Sequence, residues 1–194
     1  MELYIIRHGE TVWNALGKLQ GRNDIELNEK GREAAGRLGQ KLEKISFDKI
    51  YSSPLIRAYE TACLIRGHRN IPIIRDEHLL EMNFGIAEGT VWTNWKNTEF
   101  HTFFDDTANF IPPEGGESFE QVSSRTKEFL QKVIEPQWQT ARRIMIVAHG
   151  ALNAGIIKNI RQLDLAHYWG DGLQKNCQAA VFNFDGEKWI SVAN

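Results

Sequence analysis

Short apolar runs alternate with helical patterns along most of the chain, and these runs predict buried strands. The first run covers residues 3–6, and similar runs cover residues 50–51 and 144–148. A short continuous apolar run that ends at a turn residue is typical of a strand covered on both faces. Between the runs, apolar residues recur at the spacing of amphipathic helices. Strands that alternate with helices through residue 160 predict an α/β fold with a mainly parallel sheet.

Turn and capping residues mark where several of these elements begin or end. Asn28 and Ser118 precede helical patterns as N-caps, and Gly67 follows another pattern as a stop. Near the end of the chain, residues 177–184 and 189–192 predict two strands joined by a tight turn. We therefore expect a final hairpin.

One stretch in the middle of the chain is rich in aromatic residues. Trp92, Trp95 and Glu99 share one helical face, and Phe103 continues it. This spacing predicts a small helical insertion, at about residues 90–116, that lies against the site as a cap. An ordinary amphipathic helix with an apolar face has the same pattern, and both interpretations can hold together.

Length and composition are those of a soluble one-domain protein. The 194 residues suit a single domain, residues 1–194, and 42% hydrophobic residues are enough for a substantial core. The net charge is −2, and the 23 Lys and Arg are spread along the chain. This charge pattern gives no support for binding to nucleic acid or to a membrane surface. No secretory signal precedes the first strand and no apolar run could span a bilayer, so we expect a cytoplasmic protein.

The two cysteines, Cys63 and Cys177, stand apart from each other and from any metal-ligand spacing. Cys63 belongs to an apolar helix face and Cys177 opens a predicted strand, so we expect two buried free thiols. No cluster of carboxylates or histidines has the spacing of a metal site. The sequence therefore predicts neither a metal nor another cofactor.

Cations and histidines follow three of the predicted strands directly. Arg7 and His8 come after the first strand, His149 and Gly150 after the strand at 144–148, and Arg57 lies on the helix after a third. A single arginine–histidine pair is more often a surface ion pair beside a packed histidine. Two histidine–glycine pairs at two strand ends favour a shared site instead, because parallel strands bring their carboxyl ends to one edge of the sheet. We expect these side chains to converge on an anionic ligand.

In its motifs and their order, the chain resembles the histidine phosphatase superfamily, most closely its phosphoglycerate-mutase-like branch. The resemblance covers nearly the whole chain and rests on residues 7–11 with Asn14, 53–61, 80–85, 112–118 and 148–150. Each motif is moderately specific, and five in the family's order are strong support. The resemblance implies a three-layer α/β/α sandwich whose edge holds an antiparallel strand.

The resemblance also assigns roles to the residues at the strand ends. His8 is the nucleophile that forms a phosphohistidine, while Arg7, Arg57 and His149 bind the phosphate. The residues alone do not decide which histidine attacks. His149, if protonated, would add a third positive group to the two arginines.

A second group is expected to support phosphate and substrate binding. Asn14 assists with an amide donor, Gly150 follows His149 at the phosphate, and Gln20 and Gly21 line the substrate side.

Glu81 is the candidate general acid that the resemblance implies. Its neighbours in sequence, residues 79–82, are apolar, and such surroundings favour the protonated acid, while nearby arginines oppose it. Glu88 is the second choice, although a surface carboxylate is its commoner role. We expect Glu10 and Glu60 to be structural.

The remaining histidines have no strand-end context, and we expect surface or structural roles for all of them: His68, His78, His101 and His167.

The function that follows is a metal-independent phosphatase acting on a small phosphorylated metabolite, with a homodimer left open. The aromatic section suits a substrate with an apolar or ring-bearing part, such as α-ribazole phosphate, or a broad range of phosphomonoesters. The main alternative is a cofactor-dependent phosphoglycerate mutase, because mutases share the same core residues. Mutases of this family are longer chains with a larger insertion and a C-terminal tail, which favours the phosphatase. A phosphate-binding module without turnover is a third option, and the full catalytic set argues against it.

Overall fold

A six-stranded sheet lies at the centre of the residues that the structure describes. This computed structural model describes residues 1–97 and 99–191, without the side chains of 95–97 and 99. The strands are β1 (Glu2–Arg7), β2 (Lys49–Ser52), β3 (Ile73–Arg75), β4 (Arg143–Ala148), β5 (Ala179–Phe184) and β6 (Trp189–Ser191). Their order in the sheet is β3-β2-β4-β1-β5-β6.

The strand pairing confirms the mainly parallel sheet and the final hairpin. β1, β2, β3 and β4 run parallel to one another, whereas β5 is antiparallel to β1 and β6 is antiparallel to β5. Val192, which was expected in the last strand, lies outside the described residues. In the β1–β4 register Arg7 stands opposite Ala148, and in the β2–β4 register Ser52 stands opposite Val147. The residues that follow these strands therefore emerge at one edge.

Helices cover both faces of the sheet. They are α1 (Val12–Ala15), α2 (Glu29–Lys41), α3 (Ile56–Arg66), α4 (Thr102–Asp105), α5 (Phe119–Phe129) and α6 (Gly150–Arg161). Consecutive strand residues point to opposite faces, so Ile5 joins the core under α5 and α6 while Ile6 joins the core under α2 and α3. These two cores on either side of one sheet confirm the three-layer α/β/α arrangement.

The predicted helix caps are present. Asn28 accepts a hydrogen bond from the Gly31 N–H at the start of α2, and Ser118 forms a capping box with Gln121 at the start of α5. Gly67 ends α3 with a positive φ of 57°.

The aromatic stretch is not the amphipathic helix that its spacing predicted. Its described part consists of short 3₁₀ turns at Trp92–Asn97, Glu99–His101 and Thr107–Asn109, with α4 as a single helical turn. The Trp95 and Glu99 side chains lie outside the described residues. Phe103 is buried and its ring contacts those of Phe84, Phe110 and Phe119, so tertiary aromatic packing decides the path of the chain here.

The expectation of two buried thiols is also wrong in part. Cys63 and Cys177 are both free, but each is only half-buried. Cys177 precedes β5 instead of opening it, and its φ of 56° is incompatible with an extended strand.

Candidate active site

His8 and His149 lie side by side at the carboxyl edge of the sheet. The β1–β4 register places each directly after a paired strand end, and the two ring centroids are 5.2 Å apart. Both side chains are buried, with 2% of His8 and none of His149 exposed. The convergence that the two histidine–glycine pairs predicted is confirmed in geometry.

The ring of His8 is held in one tautomer by its own neighbour. Its Nδ1 lies 2.6 Å from the Gly9 carbonyl oxygen. Because a carbonyl can only accept, Nδ1 carries the hydrogen and Nε2 keeps an unprotonated lone pair. Burial and the charges of Arg57 and Arg7 hold the pKa of His8 well below its usual value, although the bond to Gly9 acts in the opposite direction. The ring is therefore neutral at pH 7 and can act as a nucleophile through Nε2.

His149 would be a third positive group only if it were protonated, and its surroundings oppose the proton. Burial lowers the pKa of His149 well below its usual value, and Arg57, His8 and Arg125 lower it further. Neither of its ring nitrogens has a hydrogen-bond partner among the described residues. A buried polar ring without partners is costly, so this site is built for a group that supplies them. At neutral pH the ring offers one N–H donor and no charge.

The two arginines bring positive charge to the same place. The fully buried Arg57 donates from Nη1 to the Asn23 carbonyl and from Nη2 to the Gly21 carbonyl, each at 2.7 Å, while Arg7 Nη1 donates to the Gln174 carbonyl at 2.6 Å. The Nε atoms of both arginines are buried without a partner.

Burial lowers the pKa of Arg57 to about 10 and also lowers that of Arg7. Both side chains stay charged at neutral pH. Each guanidinium can therefore still donate hydrogen bonds to phosphate oxygens.

Asn14 and Gln20 are held by Thr11 at the start of the loop that covers the site. The Asn14 Oδ1 accepts from the Thr11 N–H at 3.1 Å, which leaves its amide Nδ2 as the group it can offer to an anion. The buried Gln20 accepts from the Thr11 hydroxyl at 2.9 Å.

Gly21 occupies a position in that loop where a side chain would not fit. Its φ is 50°, and a Cβ there would lie 1.9 Å from the Glu88 Oε1. The close approach lets its carbonyl reach Arg57, as described above.

Glu81 lies at the same edge, but its surroundings are not the apolar ones that its sequence neighbours suggested. The carboxylate accepts from the Met82 N–H at 2.9 Å and from Leu152 and Ala151 at 3.0 and 3.3 Å. The last two are N–H groups of the first turn of α6, which stabilise a negative charge. Glu81 is therefore fixed in orientation, with 8% of the residue exposed to the cavity.

Glu88, the second candidate for the general acid, binds backbone groups outside the cavity. Its carboxylate accepts from the backbone N–H groups of Arg22, Asn23 and Phe84. It braces the loop that holds Gly21 and does not line the cavity. This placement favours Glu81 as the acid.

The two other motif carboxylates have structural contacts, as expected. Glu10 accepts from Asn28 at 3.0 Å and from Lys30 at 2.9 Å, and Glu60 pairs with Arg32 at 2.5 Å.

The predicted site residues other than His149 line a cavity of about 580 Å³. One end holds the predicted site residues Arg7, His8, Asn14, Gln20, Gly21, Arg57, Glu81 and Gly150. The other end, here called the aromatic wall, is formed by Phe84, Trp92, Phe100, Phe103, Phe104 and Trp169. The cavity therefore joins an anion-binding end to a large apolar surface.

Several lining residues escaped the sequence reasoning: Lys18, Asp105, Leu173 and Asn176. His101, which was expected on the surface or in a structural role, also lines the cavity, whereas His68, His78 and His167 do not. The antiparallel return of β5 along β1 could have indicated Asn176, whose Nδ2 donates to the His8 carbonyl at 2.9 Å. No motif marks this residue.

Metal-ion clusters and membrane-spanning helices are both absent from the residues that the structure describes. No group of three or more His, Cys, Asp or Glu side chains in residues 1–97 and 99–191 is arranged to hold a metal ion. Within the same ranges, no helix combines the length and apolar character needed to cross a bilayer.

Comparison with known proteins gives a consistent picture. A family model described as histidine phosphatase superfamily (branch 1) matches residues 3–193. A metal-independent phosphoserine phosphatase of Arabidopsis thaliana is 31% identical over 194 residues, which are 97% of this chain and 79% of the relative. Phosphoglycerate mutases also occur among the curated relatives.

Two solved structures share the fold. The YhfR protein of Bacillus stearothermophilus is 32% identical with a TM-score of 0.88, and the match covers 98% of this chain and 94% of that one. The α-ribazole phosphatase of Shigella flexneri is 26% identical with a TM-score of 0.87, covering 99% and 95%.

Proposed function

The chain belongs to branch 1 of the histidine phosphatase superfamily, and we propose that it hydrolyses small phosphomonoesters through a phosphohistidine on His8. The observation that carries this proposal is the state of His8. Its ring is neutral, its Nδ1 hydrogen is bound to Gly9, and it lies among buried cations. A lone pair beside two guanidinium groups is suited to attack a phosphoryl group that those groups hold.

In the first step Arg7 and Arg57 bind the non-bridging oxygens of the phosphoryl group. The His8 Nε2 forms a bond to phosphorus while the bond from phosphorus to the leaving oxygen breaks. The leaving oxygen takes the electron pair and receives a proton from Glu81.

In the second step water attacks the phosphohistidine. Glu81, now a carboxylate, accepts a proton from the water, and the bond between Nε2 and phosphorus breaks. His8 returns to its neutral form, and inorganic phosphate leaves. The charges that both steps need come from Arg7 and Arg57, so neither step calls for a metal ion.

The aromatic wall supports a substrate whose alcohol part is apolar or ring-bearing. Phe104 and Trp169 have ring centroids 5.3 Å apart beside the cavity, and Trp92 lies 5.5 Å from Phe104. Such a surface binds rings by burial and stacking. An α-ribazole-like phosphate fits this chemistry, and so does a broad range of aryl and alkyl phosphates.

A phosphoglycerate mutase is the second candidate, because phosphoglycerate mutases occur among the relatives of this chain. The aromatic wall is poorly suited to a small sugar acid with charge at both ends. Given 3-phosphoglycerate and a trace of the bisphosphate, the protein should form little 2-phosphoglycerate. Rapid interconversion of the two isomers, followed by NMR, would make the mutase the better assignment.

The test of the phosphatase proposal is to trap the intermediate. Wild-type protein in excess EDTA is mixed with p-nitrophenyl phosphate, quenched, and analysed by mass spectrometry for acid-labile phosphate on a histidine. We expect turnover in EDTA, an adduct on His8, and none in His8→Ala. His149→Ala should turn over more slowly and keep the adduct site, and His167→Ala, on the exposed surface, should match wild type in both.

Two results would contradict this proposal. An adduct that maps to His149 would exchange the roles of the two histidines. Activity that EDTA abolishes and a divalent ion restores would exclude the metal-independent mechanism.

Oligomeric state and location stay predictions. Size-exclusion chromatography with light scattering would check the homodimer, and cell fractionation would check the cytoplasm.

A further inference from the structure

Glu81 lies on a stretch that has no regular structure of its own. It stands between two 3₁₀ turns, Glu77–Leu79 and Gly85–Ala87. Neither a strand ladder nor a helix fixes the backbone of residues 80–83, yet a proton donor must be placed within a fraction of an ångström. Contacts from elsewhere in the fold must supply this precision.

Arg125, on α5, binds the backbone on the N-terminal side of Glu81. Its Nη1 donates to the His78 carbonyl at 2.8 Å and to the Leu80 carbonyl at 2.7 Å. A single guanidinium nitrogen thus holds the residue next to the acid and a second residue two positions earlier.

Glu117 binds the backbone on the other side of the acid. Its Oε2 accepts from the Asn83 N–H at 2.8 Å. The same carboxylate pairs with Arg125 through two parallel bonds, Nε to Oε1 at 3.0 Å and Nη2 to Oε2 at 3.1 Å. Each side chain of the pair is only 16% exposed.

The pair is rigid for a physical reason. A two-bond contact between guanidinium and carboxylate fixes both distance and orientation, which a lysine could not do. Burial acts to raise the pKa of Glu117, but the hydrogen bond and charge of Arg125 outweigh it and lower that pKa. Glu117 therefore stays charged and paired throughout the neutral range.

We infer that the Arg125–Glu117 pair is a positioning device that holds Glu81 for proton delivery to the leaving group. Neither side chain lines the cavity, so both act through the backbone of residues 78–83. This inference rests on the proposed role of Glu81 as the acid. It adds two residues to the site that touch neither substrate nor reacting atoms.

The experiment compares two substrates whose leaving groups differ in their need for a proton. An alkyl phosphate needs the acid, whereas p-nitrophenolate leaves readily without it. Single-turnover release of alcohol or phenol is measured for wild type, Glu81→Gln, Arg125→Lys and Glu117→Gln. The control is Arg32→Lys, which weakens a comparable arginine–glutamate pair with Glu60 away from the acid.

We expect Glu81→Gln to slow alkyl release by ~10²–10⁴-fold and phenol release much less. Arg125→Lys and Glu117→Gln should slow alkyl release by roughly 10²-fold, because a small misplacement of a catalytic group has that effect. Both should leave phenol release near wild type, and Arg32→Lys should change neither. The double variant Glu81→Gln/Arg125→Lys should be no slower on the alkyl substrate than Glu81→Gln, because a positioning residue has nothing left to position.

The outcomes separate this inference from the function on which it rests. If Glu81→Gln slows the release of alcohol and of phenol equally, Glu81 is not the acid. The positioning role of the pair is then rejected together with the acid role of Glu81. If Glu81→Gln is selective but both pair variants slow the two substrates equally, the pair only stabilises the fold, and the acid role stands. Thermal melts of each variant identify loss of folding, and either pair variant that folds suffices for the test.

Discussion

At the scale of single residues, the site depends on charges and polar rings that are kept out of water. His8 and His149 are both buried beside Arg7 and Arg57, and each of these cations disfavours a proton on either ring. Neutral histidines among cations attract an anion and keep a nucleophile ready. The same arrangement makes the folded protein sensitive to acid.

This sensitivity gives a prediction for stability against pH. Both histidines have folded pKa values below the unfolded value of about 6.5, so below pH 6.5 the unfolded chain binds more protons. Stability should be fully present above pH 6.5 and should fall as the pH drops below it, by about 1.4 kcal/mol per pH unit for each histidine. Urea unfolding of the wild type between pH 7.5 and 5 would measure this slope.

Matched histidine variants show which residues produce the slope of the unfolding free energy against pH. In His149→Gln the slope of the unfolding free energy against pH should decrease by the contribution of one histidine. His167→Gln, on the exposed surface, should keep most of the wild-type slope. An unchanged slope in His149→Gln would mean that other groups control the acid sensitivity.

At the scale of elements, two glycines let the backbone of α2 approach the backbone of the turn after β1. A Cβ on Gly31 would lie 2.1 Å from the Glu10 carbonyl oxygen, and one on Gly9 would lie 2.7 Å from the Gly31 carbonyl oxygen. The helix and the turn after β1 therefore touch without side chains between them. Glycine at residue 31 lowers the intrinsic stability of α2 and in exchange sets the distance between this helix and the His8 turn.

Two glycines of the same helix give opposite predictions. Gly31→Ala should destabilise the protein by roughly 1–3 kcal/mol, because the methyl group meets backbone that cannot rotate away. Gly36→Ala should stabilise it by roughly 0.5–1 kcal/mol, because a Cβ there meets nothing within 4 Å. Chemical unfolding measures both values. A stabilised Gly31→Ala would show that α2 can shift away from the His8 turn.

At the scale of the whole molecule, the cavity combines parts that are far apart in sequence. The end of the cavity that holds Arg7 and His8 lies at the carboxyl ends of β1 and β4, while the aromatic wall comes from the stretch around α4 together with Phe84 and Trp169. Phe103 and Phe104 are neighbours in the chain, but 2% of Phe103 is exposed and 40% of Phe104. Both rings belong to the aromatic wall, but Phe103 is mainly a core residue, whereas Phe104 exposes much more of its surface.

Replacing these two residues should separate stability from substrate choice. Phe103→Ala should lower the unfolding free energy by about 3–5 kcal/mol, as expected for a buried ring. Phe104→Ala should lower it much less and should reduce kcat/KM for an aryl phosphate roughly 10-fold. The kcat/KM for phosphoserine, which has no ring to bury, should change little. Equal losses on the two substrates would remove the wall from substrate recognition.

The sequence alone determined the architecture and which charged and polar residues follow the ends of the strands. Buried parallel strands require continuous apolar runs, and the residues after such runs are brought to one edge by the strand geometry itself. For that reason the sequence alone predicts that Arg7, His8, Arg57 and His149 lie close together. The helix caps at Asn28 and Ser118 could also be predicted from the sequence, because a cap binds only residues next to it in the chain.

Tertiary structure decided whatever depends on contacts between distant segments. The aromatic stretch has helical spacing, yet packing of Phe103 against rings from other elements breaks it into short turns. The neighbours of Glu81 in sequence are apolar, yet the first turn of α6 surrounds its carboxylate with N–H donors. The sequence around Arg125 and Glu117 does not indicate what this pair binds, because the backbone groups that it holds lie some 34 to 47 residues away. Local pattern sets which elements form, and only the folded chain sets which polar groups meet.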